Sequence, residues 1–65
     1  MMPKGNVKWY DKNKGYGFVD HNDQDVFIHW SEMKEKFVPE TNDLISFDVV
    51  PGEKGPKAQN ITKVG

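Results

Sequence analysis

The sequence predicts an all-β fold built from five short strands. Apolar and polar residues alternate at period two in several segments, and clusters of Gly, Pro, Asn and Asp separate those segments. No stretch of roughly 11 residues or more carries apolar residues at helical spacing. At 65 residues the chain has room for one domain, so we expect a single small β domain over residues 1–65.

The first three strands are separated by two polar turns. Strand 1 is predicted over about residues 4–10 and strand 2 over about residues 16–20, with the polar segment 11–15, which ends in glycine, between them. Residues 22–24 (Asn-Asp-Gln) predict the second turn, and strand 3 follows over about residues 25–30. The first half of the chain is therefore expected to hold three strands.

The second half of the chain is less regular. Residues 31–43 form a long irregular segment, in which Pro39 argues against a central strand because proline lacks the N–H that a strand ladder needs. Ser31 is a candidate N-cap for one helical turn at the start of this segment, since Glu residues follow it. We then expect strand 4 (about 44–50), a turn-rich loop (51–56) and strand 5 (about 57–63).

Strands 2 and 3 each have one aromatic and one aliphatic face. Because side chains alternate along a strand, Tyr16 and Phe18 share one face of strand 2, and Phe27 and His29 share one face of strand 3. The opposite faces and the remaining strands supply a candidate core: Val7, Val19, Val26, Ile28, Ile45, Phe47, Val49 and Ile61. The ordinary alternative for a β protein buries the aromatic residues and exposes the aliphatic ones.

Three features favour placing the aromatic residues outside. His29 shares a face with Phe27, and histidine is more common on a wet face than in a minimal core. Lys8 and Lys14 flank the same face. Seven of the eight aromatic residues lie between positions 9 and 37, whereas a core shared by five strands would draw on them more evenly. Those seven are Trp9, Tyr10, Tyr16, Phe18, Phe27, Trp30 and Phe37. An exposed aromatic patch of this kind is typical of a binding site.

The basic residues are concentrated at the two ends of the chain. Residues 1–19 carry four Lys and one Asp (+3), residues 20–53 carry two Lys and nine Asp or Glu (−7), and residues 54–65 carry three Lys (+3). If the fold brings the two ends to one side, a locally positive surface can form on a protein whose net charge is −1. A solvated mixture of charges is the alternative.

Flat aromatic surfaces beside lysines favour single-stranded nucleic acid as the partner. Every base has a π face, and each stacked base contributes about 1–3 kcal/mol. The chain has no arginine, which argues against bidentate readout of guanine and fits lysines that follow the phosphate backbone with weak sequence preference. The candidate phosphate contacts are Lys8, Lys12, Lys14, Lys54 and Lys57. A protein-interaction module that uses the same patch is the main rival.

Several functional classes are disfavoured by what the sequence lacks. The chain has no cysteine and no Walker-type loop, and neither His21 nor His29 has a partner at a recognisable catalytic spacing. We therefore expect no enzyme activity, metal, cofactor or small-molecule substrate.

Residues 1–5 lack the apolar stretch of a signal peptide, and the apolar run 26–28 is too short to cross a membrane. We expect a monomeric cytoplasmic protein with no membrane partner.

Two segments resemble ribonucleoprotein motifs. Residues 14–19 (Lys-Gly-Tyr-Gly-Phe-Val) resemble the first motif, and residues 26–30 (Val-Phe-Ile-His-Trp) resemble the second. Their order along the chain and the missing helices are unlike an RNA-recognition-motif domain. Together with Lys8-Trp9-Tyr10 upstream and Gly55-Pro56-Lys57-Ala58 downstream, they resemble a cold-shock domain over nearly the whole chain.

The resemblance implies a five-stranded antiparallel barrel of the OB type that binds single-stranded RNA and DNA, in many members as a passive RNA chaperone at low temperature. The matching positions imply binding roles for Lys8, Trp9, Lys14, Tyr16, Phe18, Phe27, His29, Trp30 and Phe37. Asp25 matches a position expected to accept a hydrogen bond from a base edge, and Lys54 stands where many members have arginine. Tyr10 could equally close one end of the core.

Overall fold

The computed structural model describes residues 3–64, which form five strands and one short 3₁₀ helix (Trp30–Glu32). The strands are β1 (Lys4–Asp11), β2 (Tyr16–His21), β3 (Gln24–His29), β4 (Leu44–Gly52) and β5 (Gly55–Lys63). The predicted all-β class is confirmed. Met1, Met2 and Gly65 belong to the predicted domain, and the first two to the segment considered for a signal peptide, but they lie outside the described residues.

The strands close into a barrel in the order β1-β2-β3-β5-β4. Four neighbouring pairs are antiparallel, and the fifth, β3 with β5, is parallel at Phe27 and Lys57. The expected barrel is confirmed, but it is mixed rather than purely antiparallel. The reason is geometric: an odd number of strands cannot alternate in direction around a closed ring, so one pair must run parallel.

Two of the hairpin connections are as short as a hairpin allows. Asn22 and Asp23, with positive φ angles of 52° and 61°, join β2 to β3. Two residues also join β4 to β5, so the predicted loop over residues 51–56 is wrong. Gly55 has a φ of 130°, a conformation that residues with a Cβ rarely adopt, and it lets the two strands pair as far as Gly52.

The barrel interior is filled by aliphatic side chains and one aromatic ring. Seven of the eight predicted core residues are buried, and Ala58 joins them: Val7, Val19, Val26, Ile28, Ile45, Phe47, Ala58 and Ile61. The prediction was wrong for Val49, which is 39% exposed. β1 pairs with β4 only from Leu44 to Ser46, so beyond that point β4 has a free edge and Val49 lacks a covering strand.

A β-bulge in β1 places two consecutive side chains on the outer face of the barrel. Val7 pairs with Val19 and Trp9 with Phe18, so Lys8 is an extra residue without a partner on β2. Lys8 and Trp9 are both exposed as a result.

The irregular segment between β3 and β4 begins with the 3₁₀ helix. The predicted helical turn exists, but its N-cap is His29 and not Ser31, because the His29 side chain accepts a hydrogen bond from the Ser31 backbone N–H. Further along, Met33 forms an isolated bridge with Ile61, and Phe37 packs against the core. The segment therefore packs against β5 and the core.

Gly15 holds the end of the β1–β2 turn against Trp30. Its carbonyl accepts a 2.9 Å hydrogen bond from the Trp30 N–H. Its φ is 78°, in the left-handed region that favours glycine, and a Cβ at this position would overlap the Trp30 indole ring. The turn can thus lie flat against the indole only because residue 15 has no side chain.

Val26→Ala should destabilise the fold far more than Val49→Ala. Val26 is fully buried, so the truncation removes core contacts and leaves a cavity, costing about 2–3 kcal/mol. Val49 loses the same two methyl groups from an exposed site, where the cost should be about 0.5 kcal/mol. Thermal melts followed by circular dichroism should show a Tm lower by roughly 10 °C or more for the first variant. Equal melting temperatures would refute the core assignment.

Gly15→Ala should move Trp30 as well as strain the backbone. The matched control is Gly55→Ala, which also places a Cβ on a positive-φ residue but has no atom within 4 Å of it. Both variants should lose roughly 1–2 kcal/mol of stability from backbone strain. Only the first should shift the NMR signal of the Trp30 indole N–H. An unchanged indole signal in Gly15→Ala would contradict the proposed contact.

Candidate nucleic-acid interface

Six aromatic side chains form a continuous row on the outer face of the barrel, which we call the aromatic track. Its members are Trp9 on β1, Tyr16 and Phe18 on β2, Phe27 and His29 on β3, and Trp30 in the 3₁₀ helix. The strand register explains the row, since Phe18 lies between Trp9 and Phe27 as their cross-strand partner. Tyr16 is paired in the same way with His29. Alternation thus collects these rings on one surface.

Each ring in the track touches the next. The Trp9 ring centroid lies 5.5 Å from that of Phe18 and 5.8 Å from that of Tyr16. Phe27 lies 5.7 Å from Phe18 and 5.9 Å from Tyr16, and 6.2 Å from His29 on its far side. His29 in turn lies 5.6 Å from Trp30. These separations are those of mutually supporting aromatic pairs, so the rings hold one another in place.

The track is open to solvent, most of all at its two ends. Trp9 is 44% exposed and Trp30 is 62% exposed, and the four rings between them are half-buried. The aliphatic residues on the opposite faces of β2 and β3 are fully buried. The alternative arrangement, with the aromatic residues as the core, is therefore excluded.

A groove of about 500 Å³ runs beside the centre of the track. Tyr16, Phe18 and Phe27 line one wall, and the β4–β5 hairpin over residues 52–57 lines the other, with Asp25 between them. The parallel pairing of Phe27 with Lys57 brings the hairpin to this position. The groove thus unites several predicted site residues that are far apart in the sequence.

The groove also contains residues that the sequence analysis did not assign to a site. Gly52, Glu53, Gly55 and Pro56 complete the hairpin wall around Lys54 and Lys57. The Gly-Pro-Lys-Ala segment contributed to the cold-shock resemblance, but only the strand pairing brings the hairpin that contains it next to the aromatic rings.

Hydrogen bonding fixes the ring of His29 within the track. The Ser31 backbone N–H donates to His29 Nδ1 at 3.2 Å, so the neutral ring carries its proton on Nε2. Asp11 plays a comparable part in the β1–β2 turn, where its Oδ1 accepts from the backbone N–H groups of Asn13 and Lys14. The Lys14 side chain is exposed, and the next residue, Gly15, is hydrogen-bonded to Trp30 at one end of the track.

Lys8 and Asp25 form an ion pair across β2, with Lys8 Nζ 2.9 Å from Asp25 Oδ1. The hydrogen bond that Lys8 Nζ donates to this carboxylate, followed by the charge of the carboxylate, raises the pKa of Lys8 above its ordinary value. Desolvation acts weakly in the opposite direction. Lys8 therefore stays protonated at neutral pH, and each of these two predicted contact residues already has a partner in the free protein.

Phe37 and Tyr10 lie apart from the aromatic track. Both are half-buried and pack against the core, and neither forms a ring contact with the track among the described residues. Burial, followed by the charge of Asp11, raises the pKa of Tyr10, so its hydroxyl stays neutral at physiological pH. Tyr10 thus closes one end of the core. The predicted binding role of Phe37 stays a prediction.

A second, larger hollow lies away from the track and has a different character. It measures about 620 Å³ and is lined by one aromatic ring, Tyr10, together with Asp11, Lys12 and residues 38–41. Two of its lining side chains, Asp11 and Glu40, are acidic and only Lys12 is basic. Size alone therefore does not mark the binding surface, and the smaller groove offers far more aromatic area to a ligand.

Two further observations on residues 3–64 concern a metal centre and a membrane-spanning helix. This part of the chain contains no group of three His, Asp or Glu residues placed to hold a metal ion. His21 packs its ring against that of Phe47, and its Nδ1 is hydrogen-bonded at 3.0 Å to the Lys4 carbonyl. Nor do the described residues include a helix long and apolar enough to span a bilayer.

Sequence comparison finds a family that matches nearly the whole chain. The family described as the "'Cold-shock' DNA-binding domain" matches residues 3–64. The major cold shock protein of Streptococcus pyogenes serotype M18 is 42% identical over 66 aligned residues, covering 97% of this chain and 98% of the relative. Cold shock protein CspA of Staphylococcus saprophyticus is 36% identical, covering 97% of this chain and 100% of the relative.

Structural comparison extends the likeness to a more distant protein. The structure of drosophila Unr CSD456 superposes with a TM-score of 0.81 at 20% identity, and the match covers all of this chain and 27% of that one. At this identity the match concerns the fold alone, which is the five-stranded OB-type barrel. Because the family match spans nearly the whole chain and both bacterial relatives exceed 30% identity, the chain belongs to the cold-shock DNA-binding domain family.

Proposed function

We propose that this protein binds single-stranded RNA and DNA by stacking unpaired bases on the aromatic track. The observation that carries the proposal is the unbroken contact of six rings from Trp9 to Trp30 on one open face. Every base has a π face, so such a surface accepts any sequence whose bases are unpaired. Bases in a duplex are already stacked on their neighbours and cannot reach the rings.

The charged and polar groups around the track fit low sequence specificity. Lysines are point charges that suit phosphates, and the chain has no arginine for bidentate readout of guanine. The few directional groups are the His29 ring and the Asp25 carboxylate, which can bond to base edges. The proposed contact residues are Lys8, Trp9, Lys14, Tyr16, Phe18, Asp25, Phe27, His29, Trp30, Phe37, Lys54 and Lys57.

Binding of this kind makes the protein a passive RNA chaperone rather than an enzyme. By taking up strands that are transiently unpaired, it shifts the duplex equilibrium toward the open form without an energy source. One protein molecule is then needed for each bound segment. The names of the bacterial relatives suggest that the setting is the cold-shock response, in which a cytoplasmic monomer keeps transcripts unstructured for transcription or translation.

The protein should bind a single strand far more tightly than a duplex of the same length. Short oligothymidine strands and a matched duplex can be titrated while the fluorescence of Trp9 and Trp30 is followed. Oligothymidine should quench the fluorescence because bases stack on both indole rings. Equal affinity for the two forms would refute stacking. If the protein bound neither the single strand nor the duplex, the rival function, in which the same patch binds a protein partner, would be the better explanation.

Replacing single rings should separate binding from stability. Phe18→Ala and Phe27→Ala each remove a platform worth about 1–3 kcal/mol, so the affinity for oligothymidine should fall roughly 5-fold to 150-fold. Val26→Ala, next to Phe27 but on the buried face, is the matched control, and its folded fraction should bind almost normally. If Phe27→Ala bound normally and only melted earlier, the ring would be a structural residue.

A further inference from the structure

Lys8 and Asp25 form an ion pair with each other at the edge of the proposed binding surface. Their side chains are 50% and 55% exposed, so both are within reach of a ligand. Asp25 lines the groove beside Phe18 and Phe27, and Lys8 reaches it from β1 across β2 because the bulge turns its side chain outward. No other salt bridge forms within residues 3–64, so this contact is not one of many interchangeable surface pairs.

A bound strand changes the partners of both groups. A phosphate attracts Lys8, and when the lysine leaves, Asp25 is left as an unpaired carboxylate beside a polyanion. A base can relieve that repulsion, because every unpaired base has an imino or amino N–H that can donate to a carboxylate. A phosphodiester chain without bases has no such donor, and a duplex has its Watson–Crick donors already occupied.

We propose that the Lys8–Asp25 ion pair makes the interface discriminate between strands that offer unpaired bases and polyanions that offer only phosphates. Asp25 competes with phosphate for Lys8, and a base donor that takes the place of the lysine removes the competition. This inference rests on the proposed function and adds a selectivity to it. It assigns Asp25 a second role besides that of a base-edge acceptor, namely to keep Lys8 from binding phosphate indiscriminately.

The test compares oligothymidine with an abasic oligodeoxynucleotide of the same length, for the wild type and Asp25→Asn. Asparagine removes the charge, keeps one acceptor oxygen for the base edge and replaces the other oxygen with an N–H₂ group. Asp25→Asn should bind the abasic strand about 2-fold to 5-fold more tightly, as expected for the loss of one exposed ion pair, so its preference for oligothymidine over the abasic strand should fall. The slope of log K against log salt for the abasic strand should steepen by up to about 0.7, since one further lysine is free to neutralise a phosphate.

Two controls isolate the ion pair from the general charge of the sheet. Asp20 lies directly opposite Asp25 on β2 and is exposed, but it makes no ion pair, so Asp20→Asn removes the same charge nearby and should change the abasic affinity by less than about 2-fold. In a Lys8→Gln background only the repulsion between the Asp25 carboxylate and the phosphates remains, so Asp25→Asn should give a smaller gain. An equal gain from Asp20→Asn, or a gain that is just as large without Lys8, would overturn the inference.

Failure of the inference can be told apart from failure of the proposed function. A wild-type protein that binds oligothymidine while Asp25→Asn leaves the abasic affinity unchanged overturns the inference alone. A wild-type protein that binds neither strand overturns the proposed function and the inference with it.

Discussion

The limited space inside the barrel is the constraint on which the rest of the structure depends. A closed ring of five strands encloses room for seven aliphatic side chains and a single ring, that of Phe47. Interiors of proteins are packed to crystal density, so another aromatic side chain could enter only by displacing strands. Since side chains alternate along a strand, filling the interior with Val19, Val26 and Ile28 obliges their neighbours Phe18 and Phe27 to face outward. The core and the aromatic track are thus two consequences of one packing solution.

The close approach of β1 and β2 gives the exposed rings their support. A Cβ on Gly17 would overlap the backbone of Trp9, so glycine at this position lets the two strands cross tightly. The tight crossing brings Trp9 into contact with both Tyr16 and Phe18. Because these rings already contact one another, they lose little further freedom when a base stacks on them. Such preorganisation reduces the entropic cost of binding. In the proposed function, backbone packing thereby contributes to affinity without touching the ligand.

The sequence was sufficient for the features that follow from alternation, and insufficient for those that depend on irregular backbone. The strands and most of the core were predictable because period two is visible in the residues themselves. The bulge at Lys8 and the loss of cover over Val49 come from pairing between distant segments, which leaves no local signal. The Lys8–Asp25 contact was hidden for the same reason, since it depends on which residue of β1 is the extra one. The N-cap at His29 lies only two residues before the predicted N-cap at Ser31. The sequence favours Ser31 because serine has the stronger capping propensity.

The distribution of charge on the folded protein bears on how the proposed binding divides between base stacking and phosphate contacts. The fold does bring basic residues from both ends of the chain to one side, because β3 lies between β2 and β5 and is flanked by Lys8 and Lys57. Yet Asp25 and Glu53 lie on the same surface, so the local positive charge is largely offset. A surface with so little net attraction for phosphates gains little from a duplex backbone or from any other polyanion. If the protein binds strands as proposed, most of the binding free energy comes from contacts that only exposed bases can make, and the modest local charge is the physical basis of the proposed selectivity for unpaired strands.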